Sequence, residues 1–295
     1  MKRIIVIGAT GQVGRELDNW REAFPGFRFY APGRSELDLA DPGSIRRTLS
    51  QAGEAFCINC AAYTAVDRAE SEPEQARLIN ATGAGRLAEA CAEAGIPLIH
   101  LSTDYVYHNH LNRPLREDDP THPRGVYAKT KLEGDRLVLD RHPDSMVIRS
   151  SWIYSPFGNN FVKTMLRLGS ERPLLRVVYD QIGAPTYARD LARALLDIIA
   201  LTETGQAPAD TWGRIYHYAN EGVCSWYDFA MAIFERCGIN CLVEAIESID
   251  FPTPAPRPCF SVLNKDRIKD TFGLRIPHWR DSLQDCLERL ASADN

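Results

Sequence analysis

A chain of 295 residues with 44% hydrophobic and 25% charged residues has a globular composition that excludes a mainly disordered or low-complexity protein. It is long enough for a nucleotide-binding domain of about 150 residues and a smaller unit. A formal net charge of -5, spread along the sequence, supplies no basic footprint for nucleic acid or an anionic membrane surface.

The basic start Met1-Lys2-Arg3 precedes Ile4-Ile5-Val6-Ile7, an apolar run too short for a signal peptide, which reads as a first strand over 3–8. No later stretch approaches the roughly 18 apolar residues of a membrane span, so a soluble, cytoplasmic protein is expected. Helix 12–23, strand 27–31, helix 42–51, strand 55–59 and helix 73–94 follow. After the stop signal Gly95-Ile96-Pro97 come strand 97–101, helix 126–141 and strand 145–149. This alternation predicts an α/β fold with a doubly wound parallel sheet of the Rossmann type and ligands at the strands' carboxyl ends. Residues 1–150 are expected to form the cofactor domain, with a return segment near 180–205. Residues 151–179 and 206–295 are expected to form a smaller C-terminal substrate domain. After about residue 150, helical segments 161–169, 189–201, 226–237 and 281–291 alternate with longer loops, among them a proline-rich stretch over 251–258 that reads as ordered and folded against the site. No internal repeat is visible.

The eight cysteines suggest neither disulfides nor zinc. Cys57 and Cys60 have C-x-x-C spacing, but strand alternation puts them on opposite faces as buried thiols. Cys237 and Cys241 flank Gly238 with no histidine pair nearby, and His108 and His110 read as exposed loop residues without a third ligand. No metal site is expected.

Between the first strand and helix lies Gly8-Ala9-Thr10-Gly11-Gln12-Val13-Gly14. Glycines there let the backbone turn sharply and approach a pyrophosphate facing the helix N-terminus. The strand-before, helix-after context is what a dinucleotide fingerprint requires. Where an acid for the adenosine ribose would stand, the chain reads Ala31-Pro32-Gly33-Arg34-Ser35. Arg34 suits a 2′-phosphate, which favours NADPH over NADH; the alternative is a solvated loop charge.

Leu101-Ser102-Thr103-Asp104 ends a predicted strand, and Tyr127-Ala128-Lys129-Thr130-Lys131 lies on a predicted helix. Four-residue spacing puts Tyr127 and Lys131 on one face, one turn apart, while Lys129 faces solvent. The ammonium is expected to draw the phenol down from its ordinary pKa of about 10, and the Thr103 hydroxyl to orient a carbonyl. Together with the glycine motif, this order points to hydride transfer to a carbonyl.

These residues resemble the dTDP-4-dehydrorhamnose reductases, extended members of the short-chain dehydrogenase/reductase superfamily. The likeness runs along nearly the whole chain and is carried by Gly11 to Leu17, Asn59 to Glu70, Ser102 to Tyr107, Tyr127 to Lys131 and Arg149 to Tyr154. It continues in Gly158 to Met165, Asp180 to Thr186 and Pro252 to Pro258. The resemblance implies that Tyr127 donates the proton, that Lys131 holds the nicotinamide ribose, and that Asp38 and Leu39 reach the adenine. Ala62, Tyr63 and Thr64 would pass the pyrophosphate, and Leu101 would join the cofactor contacts. On the sugar side it implies Thr103 and Asp104, with Trp152 packed on the substrate unless it is a core tryptophan. Asn160 and Gln181 would bond the nucleotide and Arg257 the diphosphate. The implied reaction is NADPH-dependent reduction of the 4-keto group of dTDP-6-deoxy-L-lyxo-4-hexulose (dTDP-4-dehydro-L-rhamnose) to dTDP-L-rhamnose, by a monomer or homodimer. Some relatives are described as using magnesium at a dimer contact through an acid like Glu16, which one helical carboxylate does not establish. Tyr107-His108-Asn109-His110 departs from the family's usual Phe-Asp/Pro-Gly beside the sugar. A non-catalytic regulatory subunit and a sugar-nucleotide epimerase or dehydratase of the same fold remain as alternatives.

Overall fold

The computed structural model describes residues 1–293. Strands β1 (Lys2–Ile7), β2 (Phe27–Tyr30), β3 (Ala55–Asn59), β4 (Leu98–Thr103) and β5 (Ser145–Ser150) build one sheet with Arg214–Tyr218. The order across it is Arg214–Tyr218, β5, β4, β3, β1, β2, and every neighbouring pair is parallel. Because β1 lies between β2 and β3, the chain leaves it towards opposite edges. This switch point opens a crevice at the carboxyl ends of β1 and β3.

Parallel strands covered on both faces need apolar residues at every position. Ile4 and Val6 pack with Val13 and Leu17 of α1 (Gln12–Trp20) and with Leu191 and Leu195 of helix Ala188–Glu203. Ile5 and Ile7 point the other way, onto Ile45 and Leu49 of α2 (Pro42–Ser50) and Leu87 of the helix that precedes β4. Cys57 joins this second cluster and Cys60 packs against the first, so they face apart as the alternation requires. β4 runs on to Thr103, past the expected end at Leu101, because Leu98 to Thr103 pair in register with Ser145 to Ser150. That extension seats Thr103 at the edge of the crevice.

The expected helix over 73–94 is interrupted. After the short α3 (Val66–Ala69) come α4 (Pro73–Arg77), a π-helical segment Leu78–Gly83, and α5 (Ala84–Glu93). The bulge follows from its neighbour α6 (Gly125–Arg141), which crosses so closely that a Cβ on Gly134 would stand 2.0 Å from the Asn80 carbonyl oxygen. π-bulges of this kind are rare and occur mostly at functional sites.

A third apolar cluster lies in the C-terminal part, where Phe229, Ile233, Trp279 and Leu283 join helices Trp226–Cys237 and Trp279–Ala293. Beside it Leu174–Val178 and Leu242–Ile246 pair in parallel. The sixth strand, Arg214–Tyr218, comes from the stretch expected in the substrate domain. It joins β5 because Tyr216 and Tyr218 complete the first cluster against Met146 and Ile148. No helix among the described residues is long and apolar enough to cross a membrane.

Replacing Gly134 by Ala forces α6 away from Asn80 and should destabilise the protein by about 1–3 kcal/mol. Urea unfolding measures this, and an unchanged midpoint would show that the contact yields freely.

Candidate active site

The glycine loop leaves no room for side chains. Gly8 has φ 79°, and a Cβ there would meet the Ala61 nitrogen at 2.7 Å; on Gly14 it would meet the Ala9 Cα at 2.5 Å. Gly11 caps α1 without a side-chain bond, so the helix presents bare N–H groups to the crevice. Val13 is a core residue. Gln12 latches the loop to the rest of the chain, its Oε1 accepting from Ser155 Oγ at 3.2 Å and Asn160 Nδ2 at 3.0 Å. Arg34 is exposed and its Nε lies 3.0 Å from Asp38 Oδ2. Asp38 also accepts the Ala40 N–H, the main cause of its lowered pKa, while Leu39 is buried. The expected adenine contacts therefore serve the loop itself, and Arg34 is the group among them that faces solvent.

Ala62, Tyr63 and Thr64 lead away from β3 beside a residue that periodicity did not single out. Asn80, turned inward by the π segment, accepts the Tyr63 N–H at 2.7 Å, donates to the Tyr63 carbonyl at 3.1 Å, and donates to Thr130 Oγ1 at 3.2 Å on α6. Glu70 is a second such residue. Its Oε1 accepts the Val126 N–H at 2.7 Å and so caps α6 one residue before Tyr127. Glu70 ends the stretch Asn59 to Glu70 that carried the resemblance, whereas Asn80 lies well beyond it and no sequence signal singled it out.

Tyr127 and Lys131 share one face of α6, and exposed Lys129 points away. Lys131 is fully buried against β4, its Nζ donating to Leu101 O at 2.7 Å and lying 3.2 Å from His100 Nε2. Burial lowers its pKa to about 8, against a smaller upward pull from Asp135. The Tyr127 phenol is raised to about 12 by burial, while a hydrogen bond with Thr103 pulls the other way. This corrects the expected acidification: Lys131 is engaged with β4, and the phenol keeps its proton. Thr103 also accepts the Tyr105 N–H at 3.2 Å, and the Tyr105 ring meets Tyr127 edge-on at 5.8 Å. Asp104 is buried beside them, with Oδ2 unpartnered, and Ser102 Oγ one strand position before Thr103 is likewise orphaned. Buried polar groups without partners are costly.

On the sugar side, Trp152 follows β5 with φ 49°, a strained conformation for a residue with a side chain. Its half-buried ring stacks on Trp226 at 3.6 Å, and a Cβ on Gly183 would come within 2.8 Å of it. It is thus neither wholly core nor free. Three expectations change here. Asn160 spends its oxygen capping Lys163 N–H and its nitrogen on Gln12, Ser155 O and Phe157 O. Gln181 donates to Ser248 Oγ at 2.9 Å and accepts from Trp226 Nε1 at 3.2 Å. Arg257 forks onto Asp67, at 3.2 and 2.8 Å, so an anion would have to displace that carboxylate. Of the departing loop residues, Tyr107 turns inward, bonded to His217 Nε2 at 2.8 Å and Arg149 Nη1 at 2.5 Å, and His108 is half-buried rather than exposed.

The family model described as RmlD substrate binding domain matches residues 1–292, and a dTDP-4-dehydrorhamnose reductase of Sinorhizobium fredii is 40% identical over 95% of each chain. The chain belongs to the dTDP-4-dehydrorhamnose reductase family. The spore coat polysaccharide biosynthesis protein SpsK of Bacillus subtilis is 38% identical over 99% of each chain. The crystal structure of the Bacillus anthracis dTDP-4-dehydrorhamnose reductase in complex with NADP superposes with a TM-score of 0.90 at 34% identity, covering 98% of this chain and 100% of that one.

In this member of the dTDP-4-dehydrorhamnose reductase family, Glu16 does not offer itself to a metal. It is fully buried, with Arg289 Nη1 at 2.8 and 3.1 Å, Asn19 Nδ2 at 3.2 Å and Arg189 Nη1 at 3.7 Å. No cluster of three or more His, Cys, Asp or Glu side chains able to hold a metal occurs among the described residues.

Burial raises the Asp104 carboxyl from 3.8 to about 7. The folded state therefore holds a proton that the unfolded chain has released, so Asp104 withdraws stability as pH climbs through that interval. Asp104→Asn should gain stability relative to the unaltered protein between pH 4 and pH 8, measured as paired urea midpoints. A pH-independent difference would show that the buried carboxyl is already ionised.

Proposed function

We propose that this chain reduces the 4-keto group of dTDP-4-dehydro-L-rhamnose to dTDP-L-rhamnose with NADPH. The observation that carries the reading is a half-buried Tyr127 one helical turn from wholly buried Lys131, with the Thr103 hydroxyl near enough to act on its phenol, at the open end of a Rossmann sheet. Bound NADPH supplies the hydride. The chain's own residues do the rest. Gly8, Gly11 and Gly14 give the pyrophosphate a close backbone approach at the N-terminus of α1. Arg34, exchanging Asp38 for a 2′-phosphate, selects the phosphorylated cofactor. Lys131 bonds the nicotinamide ribose hydroxyls, and Thr103 orients the keto oxygen beside the phenol. Tyr127 donates its proton to that oxygen as negative charge develops on it, which is general acid catalysis. Its raised pKa keeps the acid loaded at neutral pH.

Asp104 offers its unpartnered oxygen to a sugar hydroxyl, Trp152 lays its free face on the sugar, and Arg257 trades Asp67 for the diphosphate. The division of labour follows: residues 1–150, the segment near 180–205 and strand Arg214–Tyr218 hold the cofactor, and the remainder holds the sugar nucleotide. The similarity of the chain to named dTDP-4-dehydrorhamnose reductases over nearly its full length supports the dTDP-linked 4-keto-6-deoxy sugar as substrate.

Tyr127→Phe should abolish NADPH oxidation with the dTDP-4-keto sugar while leaving NADPH binding within about twofold, because only the acid is removed. Steady-state assay with dTDP-, UDP- and GDP-linked 4-keto sugars, combined with cofactor titration, tests this. Near-normal turnover in the variant contradicts the assignment, and an unaltered protein that turns over no keto sugar contradicts the function.

A further inference from the structure

Lys131 has a neighbour that the proposed reaction leaves unused. His100 lies on β4, wholly buried, with Nε2 3.2 Å from Lys131 Nζ and Nδ1 3.0 Å from Asn59 Nδ2. Asn59, at the end of β3, accepts the Ala61 N–H on its Oδ1 at 3.1 Å. Donors and acceptors along this line can be arranged in one way only. A backbone N–H can only donate, so Asn59 turns its oxygen to Ala61 and its amide nitrogen to His100. Nδ1 must then accept, and a neutral imidazole carries its proton on Nε2. That N–H points at Lys131, where only the lone pair of an uncharged amine can receive it.

We propose that Asn59 and His100 are positioning residues that hold the imidazole in its Nε2–H tautomer, thereby disfavour the ammonium form of Lys131, and tie the charge of Lys131 to the loop at Ala61. The other groups around Lys131 act differently. Asp135, one turn further along α6 and ion-paired to Arg149 of β5 at 3.1 Å, favours the ammonium, as does the Leu101 carbonyl. Tyr127 lies one turn back, and Asp104 directly follows β4 beside it. Burial leaves His100 neutral and lowers Lys131 to about 8, in keeping with an amine that exchanges its proton near working pH. When Lys131 gives up a proton, the amine that remains is the form His100 can hydrogen-bond, and His100 itself neither gains nor loses one.

The inference rests on the functional reading given above, but its primary readouts need no turnover. In the 15N-histidine-labelled full chain, His100 should show the Nε2–H tautomer, and 15N-lysine NMR should follow the Lys131 titration. Asn59→Asp puts an acceptor opposite Nδ1 and turns Nε2 into an acceptor for the ammonium; His100→Gln offers Lys131 an amide oxygen. Each should raise the Lys131 titration by about one pH unit. The alkaline limb of kcat should move with it, while KM for NADPH changes less than about threefold. A role in packing alone would lower kcat at every pH without moving that limb. The Nδ1–H tautomer in the unaltered chain, or an unmoved Lys131 titration in folded His100→Gln, overturns the proposal. A chain inactive on keto sugars whose Lys131 titration still shifts upholds it and contradicts the functional reading instead.

Discussion

The reaction centre depends on one demand: a lysine buried to the depth of the sheet must find partners there or lose its charge. Isolated buried ammonium groups are costly enough that their protonation shifts instead. Lys131 meets the demand with the Leu101 carbonyl and, at longer range, Asp135, while His100 Nε2 lies 3.2 Å from its Nζ. These partners are available only because α6 lies tightly on the sheet. Its start is capped by Glu70, its middle presses Gly134 against Asn80, and its far side carries the Asp135–Arg149 ion pair onto β5. Tyr127 inherits its position from the same contacts. The fit of one helix thus fixes Tyr127, the proposed acid, and Lys131 beside Thr103.

The sheet and the glycine loop were legible in the sequence because their signals are local. Apolar runs of strand length, glycines between a strand and a helix, and a four-residue spacing on a helix all report structure within a few residues of themselves. What was not legible depends on partners far along the chain. The π segment at Leu78–Gly83 exists because α6 needs room, and a helical periodicity over 73–94 cannot reveal that. Strand Arg214–Tyr218, with an arginine and a histidine among its five residues, has no strong apolar signal until its tyrosines are seen against Met146 and Ile148. Asn160, Gln181 and Arg257 have side chains suited to a nucleotide, yet each is already engaged, by Gln12, by Ser248 and Trp226, and by Asp67.

These engagements tie the proposed sugar side to the proposed cofactor side. Gln12 of the glycine loop bonds Asn160, and Asp67 beyond β3 bonds Arg257, so the two parts of the crevice are linked by side chains rather than by sheet. Trp152 adds a different element. A tryptophan with positive φ persists only where its surroundings insist on it, and here Trp226 and the bare backbone of Gly183 do so. Glu16, by contrast, is engaged by Arg289 and Arg189, and joins α1 to the C-terminal helix.

The central claim is that this crevice delivers a hydride to C4 of a nucleotide-linked keto sugar while Tyr127 protonates the oxygen. Turnover of the dTDP-4-keto sugar with NADPH deuterated at the transferred position, followed by NMR of the product, tests it most directly. The account predicts one deuterium at sugar C4 for each NADPH oxidised. Product without deuterium at C4, or sugar converted with no net oxidation of NADPH, would contradict it.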